Sequence, residues 1–382
     1  MKIFFLITRG NQGGAQTNVL SLAKEAVAGG HEVRIGTGKE GWLATEAGRA
    51  GIPVVFFRAL QRSWNPLQPF KLRAELQTEL HQRPADILHM HSSNALFGVL
   101  ATRRIKNGPK LVATVHGLSV LNPGWRGNPV VRFIYTLWMR YLWRRCDRLI
   151  FVCQSDLDYV LLRGLAHCEQ CRVVLNGINS QVEYFTRERA RHELGLMNND
   201  QAVVVGTVAR LDYQKDIDLF LRVVGALRNQ PVIFRIIGEG PDRSRLQEDI
   251  KSQRLTDHVQ IHPQARNGYK YMPAFDLFLM TSRYEGLPYT LLEAGLAGLP
   301  VVSVDVDGVR EIVRDGVSGV LVKERTPQLL ANAIKCLIDN EASRRSMGGA
   351  AQRIIKTDFS EQKMAELTFA VYPRLNDHHE NT

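Results

Sequence analysis

Two glutamates, Glu285 and Glu293, have a spacing that suits the recognition of sugar hydroxyl groups. A helix beginning near Pro288 would leave Glu285 in the loop above its N-terminus and place Glu293 about one and a half turns in. A carboxylate on an apolar helix packed against a sheet is costly unless something hydrogen-bonds it, and uncharged hydroxyls are suitable donors. The alternative is one capping glutamate and one glutamate at a helix edge.

Two cations, Arg210 and Lys215, follow the apolar run at 202–208 within a single loop. In an open parallel sheet, ligands bind beyond the carboxyl ends of the strands. The two side chains could therefore converge on a diphosphate, although two solvated surface cations would look the same in sequence.

Glycine turns follow other apolar runs and suit an anion. Gly13 and Gly14 precede a helical segment, and the N–H groups of such a turn can bind a phosphate. Gly238 ends another run in the same kind of turn. The first turn does not match the G-x-G-x-x-G fingerprint, and no acidic residue closes the second run, so a nicotinamide cofactor is not indicated.

The elements that must position these residues are apolar runs that alternate with amphipathic segments such as Thr17–Ala28 and Lys71–Gln82. Runs that are buried on both faces and separated by helices predict βαβ units and parallel sheets. The first set of runs covers 2–8, 33–38, 53–58, 85–91 and 110–116, and the second covers 202–208, 232–238, 258–262, 277–282 and 300–304. The sequence therefore predicts two doubly wound α/β domains of similar size, joined near 176–199.

The composition agrees with two or three soluble domains, because the chain has 382 residues of which 45% are apolar. The five cysteines form no disulfide framework, and the short apolar run at the start is typical of a first strand rather than a signal peptide. No uncharged apolar stretch reaches about 18 residues, so no membrane span is expected. The cytoplasm is the expected compartment.

The positive charge is concentrated in one half of the chain. Residues 1–180 carry 23 Lys and Arg against 11 Asp and Glu, whereas the remainder is nearly neutral. A basic half suits nucleic acid, an acidic membrane surface or an anionic substrate. The sequence has no zinc-finger spacing, RNP-type aromatic motif or heptad array, so nucleic acid is not an expected partner.

The segment Trp125–Arg148 contains six arginines and three tryptophans. An amphipathic segment of this composition suits a bilayer interface, with aromatic rings at headgroup depth and arginines on anionic phosphates. We expect it to contact an anionic membrane surface on the inner face of the plasma membrane. The alternative is a helix packed on its own domain with a solvated arginine face.

The E-x7-E spacing of Glu285 and Glu293, together with other segments in order, resembles the retaining glycosyltransferases of family 4. The further matching segments are Gly13–Ala15, Ala113–Gly117, Val174–Asn179, Gly206–Asp216, Gly238–Leu246 and Gly308–Val322. The resemblance implies the GT-B fold, in which two Rossmann-like domains face each other across a cleft. It further implies an acceptor domain over 1–178, a nucleotide-sugar domain over 179–358, and a helix and tail over 359–382 that return to the first domain.

The resemblance also implies a role for each matching residue. Glu293 would hold the ribose hydroxyls of a nucleotide sugar, and Glu285 would contact hydroxyls of the donor sugar. Arg210 and Lys215 would neutralise the diphosphate leaving group, and His116 would line the cleft near the anomeric carbon. The residues implied to complete the donor site are Gly13, Gly14, Gly238, Arg266 and Leu287.

The sequence departs from the family pattern in two places. Ala209 replaces a glycine beside the cation, and Pro263 stands where the family often has glycine. Neither change removes a charged group. Three D-x-D motifs, at 156–158, 216–218 and 305–307, match the metal motif of the other main glycosyltransferase fold, but the motif is short and we interpret them as surface acids.

Metal and redox chemistry are not indicated by the histidines and cysteines. His89, His91 and His116 all end strands, but no cysteine or carboxylate lies near them in sequence, and the family binding mode needs no metal. Cys168 and Cys171 are interpreted as unpaired thiols because no second C-x-x-C accompanies them.

The function implied is that of a retaining, metal-independent transferase without a cofactor. Its donor would be a UDP- or GDP-linked hexose, and its acceptor a cell-envelope glycan, either lipid-linked or a lipopolysaccharide core. The segment Pro84–Leu100 resembles family members that build exopolysaccharide. The competing hypotheses are a sugar-nucleotide epimerase of the same fold and a non-catalytic, sugar-nucleotide-binding scaffold subunit, although a scaffold has no physical reason to keep buried charges.

Overall fold

A computed structural model describes residues 1–61, 67–102, 105, 107–197, 202–263 and 267–373. The chain divides into two compact units. One consists of Met1–Gly177 and Glu361–Thr382, and the other of Ile178–Ser360. Each unit contains a parallel sheet with helices in the connections.

The first unit has an α/β architecture. Its strands are β1 (Lys2–Ile7), β2 (Glu32–Thr37), β3 (Val54–Phe56), β4 (Ile87–Met90), β5 (Lys110–Val115), β6 (Arg148–Phe151) and β7 (Cys171–Val173). Its helices are α1 (Gly14–Ala28), α2 (Trp42–Arg49), α3 (Gln68–Gln82), α4 (Gly98–Thr102), α5 (Pro129–Trp143), α6 (Gln154–Leu162) and α14 (Glu361–Val371). Among the described residues, these strands form one seven-stranded sheet in the order β3-β2-β1-β4-β5-β6-β7.

The sheet of the first unit is buried on both faces. Along β1, Phe4 and Leu6 belong to one apolar cluster, whereas Ile3, Phe5 and Ile7 belong to another. Successive side chains of a strand point to opposite faces, so an uninterrupted apolar run is what a doubly covered strand requires. Helices α1 and α14 pack against each other and contribute to the second cluster.

The second unit repeats this architecture. Its strands are β8 (Val203–Val208), β9 (Val232–Ile237), β10 (Val259–His262), β11 (Leu277–Met280), β12 (Val301–Val304) and β13 (Gly319–Val322). Its helices are α7 (Arg187–Glu193), α8 (Ile217–Ala226), α9 (Arg243–Ser252), α10 (Tyr289–Leu296), α11 (Val309–Ile312), α12 (Pro327–Ile338) and α13 (Glu341–Asp358). Within the described ranges, the strands form a six-stranded parallel sheet in the order β10-β9-β8-β11-β12-β13.

The predicted fold class is confirmed. Each of the ten apolar runs contains a strand of the expected sheet, and both amphipathic segments lie within helices, α1 and α3. Strands β6, β7 and β13 are not among the predicted runs. They are three or four residues long and lie at or next to a sheet edge.

Across the described ranges, the helices are too short or too polar to cross a bilayer. Helix α5 of the basic half has 15 residues and contains arginines.

Candidate functional site

The candidate site in the second unit lies where two neighbouring strands end. Strands β8 and β11 are adjacent and parallel, with Leu277 opposite Val205 and Phe278 opposite Gly206. Their carboxyl ends therefore lie at the same edge of the sheet, which is where ligands bind in open α/β sheets. The loop after β8 carries Arg210 and Lys215, and the loop after β11 leads to α10.

Lys215 and Glu285 form an ion pair between these two loops. The Lys215 Nζ lies 2.5 Å from Glu285 Oε1, and the two side chains are 19% and 6% exposed. Gln214 Nε2 also donates to Glu285 Oε2 at 3.4 Å, and the Glu285 N–H donates to Asp307 Oδ2 at 3.0 Å. Removing two charges from water costs free energy, and the additional hydrogen bonds offset part of that cost. They satisfy the carboxylate and the backbone N–H of Glu285. The pair presents a partly exposed ammonium and a fixed carboxylate beside each other.

Arg210 belongs to the same loop but is much more exposed. Its side chain is 56% exposed, and its Nε lies 3.4 Å from Asp212 Oδ2. A guanidinium in this position retains donors for a ligand, since Arg has five N–H groups and suits phosphate geometry.

Glu293 occupies the fifth position of α10, as the sequence predicts for a helix starting near Pro288. The residue is partly buried, and burial raises the pKa of its carboxyl to about 8. The neutral acid is therefore favoured at neutral pH in the free protein, and hydroxyl donors would shift it toward the carboxylate. Behind it, the Tyr184 hydroxyl donates to the Glu293 backbone carbonyl at 2.7 Å.

Gly238 directly follows β9 and lies against the start of the loop after β8. A Cβ at this position would lie 1.9 Å from the carbonyl oxygen of Ala209, which cannot be accommodated without moving backbone. The two segments are also joined by the Ala209 N–H, which donates to the Ile237 carbonyl at 3.0 Å. Glycine is thus required for the close approach that holds the loop of Arg210 in place.

Leu287 lies two residues before α10 and is 4% exposed. It follows Glu285 in the loop that enters the helix, so its backbone lies near the positive end of the α10 dipole. Arg266, which the resemblance assigned to the donor site, lies outside the described residues.

In the first unit, Gly13 and Gly14 lie where β1 passes into α1. Gly14 is the first residue of the helix and Gly13 precedes it with extended backbone. The Gln16 side chain donates back to the Arg9 carbonyl at 3.1 Å and so closes the turn. The N-terminus of α1 carries the partial positive charge expected of a helix start.

His116 follows β5 in the first unit and shares a hydrogen bond with a second histidine. His91 Nδ1 lies 3.1 Å from His116 Nε2, and the rings stack with centroids 5.3 Å apart. Burial lowers the pKa of His116 to about 4 and that of His89 to about 3. His89 in turn bonds to the Tyr372 hydroxyl at 2.9 Å and to Thr114 Oγ1 at 2.8 Å. These are neutral imidazoles in a hydrogen-bonded cluster.

Within the described ranges, no group of three or more His, Cys, Asp or Glu side chains is arranged to hold a metal ion. Cys171 is buried, which raises the pKa of its thiol to about 11 and disfavours the reactive thiolate. Cys168 is exposed and makes no disulfide.

The interpretation of the D-x-D motifs as surface acids is wrong for two of their residues. Asp156 is 1% exposed and Asp216 is 3% exposed. Asp216 forms ion pairs with two arginines. A short motif that is common by chance therefore includes a buried, ion-paired carboxylate. Asp307, from the third motif, accepts the hydrogen bond from the Glu285 backbone.

Several residues that support the site are not identified from the sequence. Gln214 is one of them, although its position beside Lys215 is a usable signal. Tyr184 lies 109 residues from Glu293 and carries no motif, so only the tertiary structure could assign it. The same holds for Asp307, which is 22 residues from the backbone N–H that it accepts from.

The arginine- and tryptophan-rich segment forms α5, which begins at Pro129 with Asn128 as its cap. One face packs inward through Met139, Leu142 and Trp143. The other exposes four apolar side chains at helical spacing, each at least half exposed: Val130, Phe133, Ile134 and Leu137. The sequence allowed a membrane-facing segment or a packed helix with an arginine face, and the structure shows a packed helix whose outer face is apolar.

The chain matches two protein-family models, one in each half. Residues 12–182 match the family described as "Glycosyltransferase Family 4", and residues 188–354 match "Glycosyl transferases group 1". Together these matches cover most of both sheets and every sequence-predicted site residue that the structure describes.

Curated relatives have related descriptions. A glycogen synthase of Mycobacterium tuberculosis is 26% identical over 78% of this chain and 70% of its own. An N,N'-diacetylbacillosaminyl-diphospho-undecaprenol alpha-1,3-N-acetylgalactosaminyltransferase of Campylobacter jejuni is 23% identical over 85% of this chain and 86% of its own.

Among solved structures, Anabaena Alr3699/HepE in complex with UDP and glucose superimposes with a TM-score of 0.83. It is 23% identical and covers 97% of this chain and 98% of its own. At this identity the likeness shows the GT-B fold.

Proposed function

The chain belongs to glycosyltransferase family 4, and on that premise we propose that it transfers a hexose-type sugar from a nucleoside diphosphate to a cell-envelope glycan, with retention of configuration and without a metal ion. The observation that carries the proposal is the Lys215–Glu285 ion pair at the ends of β8 and β11, with Arg210 and Glu293 on the adjoining loop and helix. Cations and carboxylates there suit the two halves of a sugar nucleotide, its diphosphate and its hydroxyls. UDP and GDP are the expected carriers.

The charges of the side chains indicate which part of the donor each residue would bind. Glycosyl transfer develops positive charge at the anomeric carbon and negative charge on the departing diphosphate, so Lys215 and Arg210 would stabilise the leaving group. Glu285 would accept hydrogen bonds from the donor sugar and Glu293 from the ribose. His116 is assigned to the anomeric end of the donor as a neutral group, in keeping with its lowered pKa. Retention through same-face attack, assisted by the leaving phosphate, needs no additional nucleophile.

Thermal unfolding in the presence of UDP-, GDP-, ADP- and TDP-sugars, with EDTA present, tests the donor site directly. A ligand at 100 times its dissociation constant adds about 2.7 kcal/mol to the stability of the folded chain. We expect one nucleotide to raise the melting temperature, and Glu293→Ala to abolish that rise. A rise that requires added Mg²⁺ or Mn²⁺ would contradict metal independence, and no rise with any donor would contradict the proposed donor site.

The stereochemistry of the product tests retention and separates sugar transfer from epimerisation. NMR of the glycoside formed from an α-linked donor should show an α-linked product, because retention preserves the anomeric configuration. A β-linked product would contradict the proposed mechanism. Conversion of the sugar nucleotide itself, with no acceptor needed, would identify an epimerase.

The exposed face of α5 supports a lipid-linked acceptor and a peripheral position on the inner membrane face. Phe133, Ile134 and Leu137 are 63%, 61% and 50% exposed on one helix face, and Arg140 and Arg144 continue that face at helical spacing. An apolar stripe that passes into arginines suits insertion at headgroup depth, where each arginine near an anionic leaflet contributes about 1 kcal/mol.

Sedimentation with vesicles tests the membrane proposal. The chain should pellet with phosphatidylglycerol vesicles at low salt, come off as salt rises, and bind phosphatidylcholine vesicles weakly. The double substitution Phe133→Ser with Ile134→Ser should abolish pelleting. Leu162→Ser is the matched control, because Leu162 is an 86% exposed leucine on α6 outside this stripe. Equal binding to both lipids, or to neither, would contradict the proposal.

A further inference from the structure

Asp216 occupies an unusual backbone position directly after Lys215. Its φ and ψ are 47° and 54°, in the left-handed region that glycine adopts freely and other residues adopt at a cost. Asp216 is also the N-cap residue of α8, yet its side chain makes no capping hydrogen bond. Aspartate is a preferred N-cap because its carboxylate satisfies helix N–H groups, so its carboxylate here serves something else.

That carboxylate, 2% exposed, lies between two guanidinium groups. Arg283 Nη2 donates to Asp216 Oδ1 at 2.7 Å, and Arg325 Nη2 donates to Asp216 Oδ2. Arg283 comes from the loop after β11, and Arg325 from the segment between β13 and α12. One buried carboxylate thus ties together three segments that are distant in sequence.

The same two arginines also donate hydrogen bonds to backbone carbonyls of the loops after β8 and β11. Arg325 Nη1 donates to the Ser282 carbonyl at 2.5 Å, and its Nη2 also reaches the Thr281 carbonyl at 3.1 Å. Arg283 donates through its backbone N–H to the Gln214 carbonyl at 2.7 Å. Each arginine therefore donates hydrogen bonds to at least one segment other than its own, so the two residues act as cross-links between the loops.

Lys215 is fixed by this arrangement. The Thr281 hydroxyl donates to the Lys215 carbonyl at 3.0 Å, and the Lys215 ammonium reaches Glu285, two residues beyond Arg283. Both the backbone of the lysine and the carboxylate that receives its side chain are therefore anchored on the segment that the arginines hold. A displacement of the Asp216 carboxylate would move the two loops relative to each other and the Lys215 ammonium with them.

We infer that Asp216, Arg283 and Arg325 form a clamp of positioning residues, built around the buried Asp216 carboxylate, that holds Lys215 where it can meet the diphosphate of the donor. The inference rests on the proposed function, since it takes a nucleoside diphosphate as the ligand of Lys215. The clamp acts through the lysine and does not itself contact the ligand. The inference assigns a positioning role to Arg325, which lies more than a hundred residues from Lys215 in the sequence.

Asp216→Gly tests the clamp without straining the backbone, because glycine keeps the left-handed conformation and removes only the carboxylate. We expect the dissociation constant for UDP or GDP, whichever the wild type binds, to rise roughly tenfold by calorimetry. The KM for the donor should rise similarly, while the KM for the acceptor stays unchanged. Asp216→Asn, which keeps one acceptor oxygen and tolerates the left-handed region, should restore part of the affinity.

The matched control is Asp218→Asn. Asp218 lies two residues further along α8 and makes an exposed ion pair with Arg245 at 2.7 Å. Its substitution removes the same charge from the same helix and should leave nucleotide affinity and both KM values unchanged.

A double-substitution cycle separates positioning from general destabilisation. In the Lys215→Ala background, Asp216→Gly should change nucleotide affinity less than twofold, because the lysine through which the clamp acts is absent. An equal loss in both backgrounds would overturn the inference, as would an unchanged donor affinity in a folded Asp216→Gly protein. Should Asp216→Gly fail to fold, the same measurements are made on Arg325→Gln, because the Arg325 side chain is partly exposed. If the wild type binds no nucleoside diphosphate, the proposed function itself fails, and the clamp with it.

Discussion

The Tyr184 hydroxyl donates a hydrogen bond of 2.7 Å to the backbone carbonyl of Glu293, across 109 residues of sequence. That carbonyl also accepts from the Ala297 N–H at 3.0 Å, inside the last turn of α10. The tyrosine thus anchors the short helix that carries the candidate ribose-binding carboxylate. Helices of eight residues have little stability of their own and depend on such tertiary contacts.

Tyr184→Phe should therefore lower both stability and donor affinity. Loss of one partly buried hydrogen bond costs about 1 kcal/mol in the free energy of unfolding, and the freed helix should weaken nucleotide binding severalfold. Chemical denaturation and calorimetry measure the two effects. Tyr271→Phe is the control, since that phenol bonds to the exposed side chain of Glu193 at 2.9 Å. Equal affinity in the Tyr184 variant and the wild type would contradict the anchoring role.

The raised pKa of Glu293, about 8, predicts a dependence of stability on pH. In the unfolded chain a glutamate ionises near pH 4.5, so between these values the folded state holds a proton that the unfolded state has lost. The free energy of unfolding should therefore fall as pH rises from about 4.5 to about 8, by at most about 1.4 kcal/mol per pH unit. Denaturation of Glu293→Gln should lack this component, and an unchanged pH profile in the variant would refute the assignment.

Binding of a nucleotide sugar should reverse that protonation. Ribose hydroxyls that donate to Glu293 favour the carboxylate, so binding below pH 8 should release a proton. Calorimetry in buffers of different ionisation enthalpy measures the release. If binding at pH 7 released no proton, Glu293 would not change its protonation state on binding. If Glu293→Gln released the same proton, that proton would come from another group.

Lys215→Gln and Arg210→Gln should separate a buried cation from an exposed one. The first leaves the buried Glu285 carboxylate without its counter-ion, which costs about 3 kcal/mol of stability, whereas the second should change stability by less than about 0.5 kcal/mol. Both should lower the transfer rate roughly 10²–10³-fold, because each removes a donor from the leaving group. Steady-state kinetics and denaturation check this, and a normal rate in either variant would remove that residue from the mechanism.

Gly238→Ala should destabilise the second unit. The new Cβ would lie 1.9 Å from the Ala209 carbonyl oxygen, so backbone must move, at a cost of about 1–3 kcal/mol. Gly225→Ala is the control, since Gly225 lies in α8 with open space around its Cβ position and should be stabilised by roughly 0.5–1 kcal/mol. Opposite shifts in the two melting temperatures are expected. A folded Gly238→Ala protein of unchanged stability would contradict the close approach.

Much of the fold could be predicted because its signals are local. A strand covered on both faces must be largely apolar, so most central strands are visible as nearly continuous apolar runs. The residues after those runs, Arg210, Lys215 and Glu285 among them, belong to the candidate site because parallel strands end at one edge of a sheet. The sequence alone therefore determined the fold class and which side chains stand at the strand ends.

The tertiary structure decided which of these charges meet and which are buried. The pairing of Lys215 with Glu285, the burial of Asp216 between Arg283 and Arg325, and the contact of Tyr184 with Glu293 join segments that are about 70 to 110 residues apart. Such contacts depend on strand order and loop geometry, and neither produces a periodic pattern in the sequence. In α5, likewise, the amphipathic pattern could not show which face packs inward, because both faces carry large apolar side chains.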